Sequence, residues 1–68
     1  MNQEMLREKL RMHRMKSGAS MVQLAEVIGV ATQQTYYKKE AGLLRFSIKE
    51  ALALAKFFGV SVEELFGE

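Results

Sequence analysis

The sequence predicts an all-α fold in which five helices form a compact bundle. Apolar residues recur three or four positions apart, which is the period of a helix packed on a core. Serine or threonine precedes most of these segments and glycine follows them, and these residues are preferred helix caps. Because the chain has only 68 residues, we expect one domain over residues 1–68.

The first two helices are predicted from their ends. The first covers about residues 2–16, where two leucines lie four positions apart and Gly18 follows the helical pattern. Ser20 begins the second helix, because Gln23 three residues later completes a capping box. Gly29 ends this helix, as a residue that tolerates positive φ.

The third helix is predicted from about Thr32, its N-cap, to Ala41, with Gly42 ending it. The stretch LLRF at 43–46 is then a loop. On composition alone, this stretch and FFGVSV at 57–62 are also compatible with edge strands. The helix caps on both sides of them favour the helical interpretation.

The last two helices each begin with a capping box. Ser47 and Glu50 flank the start of IKEALALAKFF, which Gly59 ends, and Ser61 and Glu64 precede the short helix VEELF. In the fourth helix an apolar stripe is interpreted as core and not as a cofactor pocket. Its members are Leu52, Leu54, Ala55 and Phe58.

Composition excludes several classes of function. Without cysteine there is no disulfide and no zinc–thiolate site, and His13, the single histidine, has no second ligand cluster near it in the sequence. No nucleophile is paired with a base and no phosphate loop is present, so we expect neither an enzyme nor a cofactor, metal or small-molecule ligand. No apolar run approaches the roughly 20 residues of a membrane span, and the charged N-terminus is unlike a signal peptide, so a cytoplasmic location without membrane contact is expected.

Charge distribution points to a polyanionic partner. The net charge is +2, and five basic residues crowd the first helix. They are Arg7, Lys9, Arg11, Arg14 and Lys16. A basic helix face taken alone is more often a solvated surface or a weak membrane-surface helix.

Residues 20–41 have the pattern of a helix-turn-helix, with a short helix, a glycine turn and a second helix in succession. At about 100° per residue the second helix divides into two faces, and Tyr36 and Glu40 point inward. The outward side chains are Gln33, Gln34, Tyr37 and Lys38. Glutamine can bond both adenine atoms in the major groove, and lysine can reach guanine or phosphate. The alternative is that this polar face is merely solvated.

The whole chain resembles the lambda repressor and Cro family of helix-turn-helix domains, the Xre type. The resemblance lies in LREKLRMHRMKSGAS, QLAEVIGV, QQTYYKKEAG and SIKEALALAKFFGVSVEELF. It implies a five-helix bundle that binds palindromic operators in double-stranded DNA as a dimer. It further implies that Gln33, Gln34 and Lys38 read bases, and that Arg14 and Glu40 form a buried ion pair between the first and third helices.

Departures from the family pattern leave some positions open. The interval from Gly29 to Glu40 is one residue longer than usual, so Thr32, like the two glutamines after it, is a candidate base reader. Met21 replaces a phosphate-binding glutamine of the family, and Gln23 or backbone amides are the alternatives. Residues on flanking elements are expected to hold phosphates, namely Arg11, Gln23 and Arg45.

The loop before the fourth helix is more apolar than the family's. We expect a weak homodimer through apolar residues of this loop and the last helix, which are Leu43, Leu44, Phe46 and Phe66. The alternative is that Leu43 and Phe46 cap the core. The sequence as a whole predicts a sequence-specific, double-stranded DNA-binding transcriptional regulator that acts as a repressor. The competing prediction is an antitoxin-like or anti-repressor-like protein-interaction module that keeps the fold without using DNA.

Overall fold

Five α-helices make up the part of the chain that the computed structural model describes, residues 3–67, with side chains from residue 7 onward. The helices are α1 (Gln3–Ser17), α2 (Met21–Ile28), α3 (Gln33–Glu40), α4 (Ile48–Phe58) and α5 (Val62–Phe66). No strand occurs within residues 3–67, which confirms the predicted all-α class and the helical interpretation. The first helix ends one residue later than predicted, and its predicted start at residue 2 lies outside the described residues.

The predicted caps are present, but only one capping box is complete. Ser47 accepts from the Glu50 N–H at 3.0 Å, and the Glu50 carboxylate accepts from the Ser47 N–H at 2.9 Å. The serines before α2 and α5 also accept from the backbone N–H three residues on. The return bonds expected from Gln23 and Glu64 are not formed, because both side chains are exposed and have water as an alternative partner.

Each helix contributes one large, fully buried side chain to the core. These side chains are Leu10, Leu24, Tyr36, Leu54 and Leu65. α2 packs against α3 and α4, while α5 packs against α1 and α4, so the short helices are stabilised mainly by tertiary contacts. No described helix has the length and apolar character needed to span a membrane.

The apolar stripe of α4 lies only partly in the core, contrary to the prediction. Leu54 and Ala55 are buried and Phe58 packs against the core, but Leu52 is 56% exposed. The reason is that α4 is covered by α2 and α5, while its remaining face has no neighbouring helix within the described chain. His13 is half-buried, with its ring centroid 6.0 Å from that of Phe58.

Candidate nucleic-acid interface

A tight turn at Gly29 joins α2 to α3. Gly29 has φ +80°, in the left-handed region that favours glycine. The N–H groups of Gly29 and Val30 donate to the Ala25 carbonyl at 2.9 and 3.0 Å, and Val30 packs against the core between the two helices. The Thr32 hydroxyl then accepts from the Thr35 N–H at 3.2 Å and caps α3. Helix, turn and helix therefore follow one another as the sequence predicts.

The two faces of α3 differ sharply in exposure. The inward side chains, Tyr36 and Glu40, are buried. The side chains that we name the reading face are all exposed, and they are Gln33, Gln34, Tyr37 and Lys38. A helix with a buried anchor on one side and free amide, phenol and ammonium groups on the other has the donors and acceptors that match base edges.

Glu40 is held by three hydrogen bonds. Its Oε2 accepts from Arg14 Nε at 2.8 Å and from the Tyr36 hydroxyl at 2.9 Å. Its Oε1 accepts from Arg14 Nη2 at 3.0 Å, which makes the arginine contact bidentate. Since Glu40 meets Arg14, the additional residue between Gly29 and Glu40 does not rotate α3 away from α1.

The electrostatics of this cluster follow from the same contacts. Hydrogen bonding to the Glu40 carboxylate raises the pKa of Arg14 above its usual value, against the opposing effect of burial. Burial, followed by the charge of Glu40, raises the pKa of Tyr36 strongly. The arginine therefore stays charged and the tyrosine stays a neutral donor, so all three bonds persist at neutral pH.

An open groove runs along the surface where α1 and α3 meet. Its α1 side is lined by Arg7, Glu8, Arg11 and Arg14, and its α3 side by Tyr37 and Glu40. Arg11 is exposed there, whereas Arg14 is committed to Glu40. An exposed guanidinium beside the reading face can contact a phosphate of a duplex lying against α3.

The other predicted phosphate ligands lie on the elements that flank α3. Gln23 is exposed on α2, and Arg45 is exposed in the loop that joins α3 to α4. Thr32, the open candidate for base reading, is exposed, but its hydroxyl is already bonded to both the amide and the hydroxyl of Thr35.

A second polar cluster beside α3 was missed at the level of sequence. Lys39 Nζ donates to Glu50 Oε1 at 3.0 Å and to the Arg45 carbonyl at 2.9 Å. Arg7 Nε donates to the Lys39 carbonyl at 3.0 Å, and its guanidinium carbon lies 5.3 Å from the ring centroid of Phe46. Only the position of Arg7, seven residues before Arg14 and so on the same face of α1, offered a sequence signal.

Burial and the proximity of Arg45 lower the pKa of Arg7 below its usual value. Burial alone would raise the pKa of Glu50, but bonds from the Ser47 amide and from Lys39 outweigh it and lower that pKa. The loop region is therefore rich in positive charge, and Glu50 is its counter-ion.

The four predicted interface residues have different surroundings. Phe46 and Phe66 pack against the core and against each other, with ring centroids 5.2 Å apart. Both rings thus find partners within one chain. Leu43 and Leu44 are exposed, the former by 70%. The packing of Phe46 agrees with its interpretation as a residue that caps the core. The same interpretation of Leu43 does not agree with its exposure.

The structure adds exposed apolar residues that the sequence did not single out. Ile48 is 81% exposed and lies one turn before the exposed Leu52 on α4. Among the described residues there is no group of three or more metal-ligating side chains.

This fold and its exposed third helix define a helix-turn-helix domain. A family model described as "Helix-turn-helix domain" matches residues 6–65. The chain therefore belongs to the helix-turn-helix domain family and is of the Xre-like type, as its resemblance implied.

The chain is 36% identical over 61 residues to an uncharacterised HTH-type transcriptional regulator of Methanocaldococcus jannaschii. The alignment covers 90% of this chain and 91% of that relative. No solved structure matches the chain with statistical significance.

Proposed function

We propose that this protein binds double-stranded DNA sequence-specifically through the reading face of α3 and represses transcription from the site it occupies. The observation that carries the proposal is the exposed polar face opposite the buried Tyr36 and Glu40. In helix-turn-helix proteins the second helix of the motif enters the major groove. The name of the archaeal relative, a transcriptional regulator, supports the regulatory role.

Base reading is assigned to Gln33, Gln34 and Lys38, with Tyr37 at the edge of the groove against sugar, phosphate or a thymine methyl group. The two glutamines suit adenine and the lysine suits guanine or phosphate. The hydroxyl of Thr32 caps the helix, which favours the glutamines over Thr32 as readers.

Arg11, Gln23 and Arg45 are assigned to the phosphate backbone. They lie on α1, α2 and the loop after α3, so they surround the helix that carries the readers. Contacts of this kind set register and orientation without reading sequence.

A two-fold operator calls for a two-fold protein, so we include a weak homodimer in the proposal. Exposed leucines in the loop that enters α4, Leu43 and Leu44, are its predicted contacts. Ile48 and Leu52 in the first half of α4 are further exposed apolar residues that we add to them. Repression requires only that the bound protein occupies DNA that another protein needs.

Selection of bound sequences from a random duplex pool tests the proposal. We expect enrichment of a symmetric motif, and log affinity that falls linearly with log salt as counterions leave the phosphates. A pool without enrichment, together with an affinity that does not respond to salt, would contradict DNA binding.

The second candidate is a protein-interaction module that does not use DNA. It is favoured by one specific observation, the 81% exposure of Ile48 beside Leu52. A flat salt response in the same experiment supports this candidate, because an apolar interface releases no condensed counterions.

A further inference from the structure

Lys39 belongs to α3 but not to its reading face. Its side chain is only 13% exposed, and its ammonium reaches the first turn of α4, where Glu50 is 17% exposed. The same ammonium donates to the Arg45 carbonyl. One cation therefore connects the recognition helix, the following loop and the next helix.

This connection links α3 to α4, two helices that do not pack closely against each other. α3 packs against α1 and α2, whereas α4 packs against α2 and α5. Within the described chain, α3 and α4 do not form a close helix pair of their own. Besides their shared packing on α2, the two helices are joined near the loop by the polar contacts of Lys39.

The loop is held from its other side as well. At the end of α3 the Leu43 N–H donates to the Lys38 carbonyl at 2.8 Å, and Gly42 takes φ +87° to allow this reversal. Two cations lie over the Phe46 ring. Lys39 Nζ is 5.9 Å from the ring centroid, and the guanidinium carbon of Arg7 is 5.3 Å from it. In the chain, Arg45 lies between Leu43, held by this backbone bond, and Phe46, held by these cations.

We propose that Lys39 and Glu50 are positioning residues, which set the place of Arg45 and of the loop relative to the reading face of α3. Neither residue needs to touch DNA for this role. Lys39 holds the Arg45 backbone, and Glu50 holds Lys39. The inference rests on the proposed DNA binding and adds to it the device that aligns a phosphate contact with the base readers.

Glu50→Gln isolates this role from helix capping. A glutamine three residues after a serine N-cap still completes a capping box, so the bond from the Ser47 N–H is retained. What is lost is the negative charge opposite Lys39. The matched control is Glu64→Gln, which removes the same charge at the same position of another serine-capped helix, away from any ion pair in the described chain.

The two interpretations of Glu50 predict opposite signs. If only overall charge matters, removing a carboxylate does not weaken binding to a polyanion. Both variants then bind DNA as tightly as the wild type or slightly more tightly. If Glu50 positions the loop, Glu50→Gln weakens binding by about three- to fivefold, as expected for loss of a partly exposed ion pair. Glu64→Gln does not.

The experiment measures anisotropy of a labelled duplex from the selected pool, at fixed salt, with thermal melts to verify folding. A double-mutant cycle with Arg45→Ala completes it, because that variant keeps the backbone carbonyl and loses only the guanidinium. We expect the effect of Glu50→Gln to shrink to less than about twofold in the Arg45→Ala background, since little phosphate contact remains to be aligned.

Equal affinity of Glu50→Gln and Glu64→Gln overturns the inference while the proposed function stands. An undiminished effect of Glu50→Gln without the Arg45 side chain overturns it as well. A wild-type chain that binds no duplex overturns both proposals.

Discussion

The hydroxyl of Tyr36 donates to Glu40 Oε2 at 2.9 Å, one helical turn along the buried side of α3. Arg14 of α1 bonds to both oxygens of the same carboxylate. The two helices are thus joined through a charge that is nearly removed from water, and the reading face points outward because this cluster points inward.

Glu40→Ala should destabilise the fold severely. The variant leaves the Arg14 guanidinium and the Tyr36 hydroxyl without their acceptor in a partly buried site, which costs roughly 3–5 kcal/mol. In a chain of this size that lowers the melting temperature by more than about 10 °C. Thermal melting followed by circular dichroism measures it, with the exposed Glu26→Ala as control. A Glu40→Ala variant that melts within about two degrees of the parent would disprove the structural role of the pair.

Tyr36 should make stability fall at alkaline pH. Its pKa in the folded state is raised above the ordinary value of 10.0, by burial and by Glu40. Above pH 10 the unfolded chain therefore holds fewer protons than the folded chain, and the free energy of unfolding decreases as pH rises. Urea denaturation between about pH 8 and 11 measures this slope.

Tyr36→Phe is the matched variant for the pH experiment. It retains the buried ring and should lose about 1.5–3 kcal/mol near neutral pH, the range for a hydrogen bond to a charged group. Its stability should also decline less above pH 10 than that of the parent. An equally steep decline in both proteins would assign the alkaline transition to other groups.

Base readers and phosphate ligands should respond differently to substitution. Gln34→Ala should cost roughly 1–3 kcal/mol on the selected duplex and relax preference at one base pair per half-site. Arg45→Ala should weaken selected and scrambled duplexes about equally and reduce the salt slope by about one. Affinities on both duplexes over a salt series separate the two roles. Equal weakening of both duplexes by Gln34→Ala would rule out Gln34 as a base reader and assign base reading to Thr32 and Gln33.

Association should depend on the apolar surface at the start of α4. Leu44→Glu and Ile48→Glu place a charge in the predicted interface and should shift sedimentation towards the monomer, while a single half-site is still bound. Met15→Glu is the control, because Met15 is also an exposed apolar residue but belongs to α1. If association and operator affinity match the parent in both variants, the loop and α4 are not the interface.

The ends of the helices are set mainly by local chemistry, and so they could be predicted from the sequence alone. A serine or threonine hydroxyl bonds an amide three residues on, and a glycine takes positive φ at the helix end, whatever surrounds them. The division of α3 into an outward and an inward face follows from the helical period. The family could be identified from motifs that are distributed over the whole chain. The Arg14–Glu40 pairing came from that resemblance rather than from any local rule.

Tertiary structure decided the features that join distant positions. The Lys39–Glu50 bridge spans eleven residues and the contact of Arg7 with the Lys39 carbonyl spans thirty-two, so no local pattern announces either. Leu52 has the spacing of a core residue, yet it is exposed because, among the described residues, α4 packs closely on α2 and α5 alone. Periodicity shows which residues share a face of a helix, but only the packing of the other helices determines whether that face is buried.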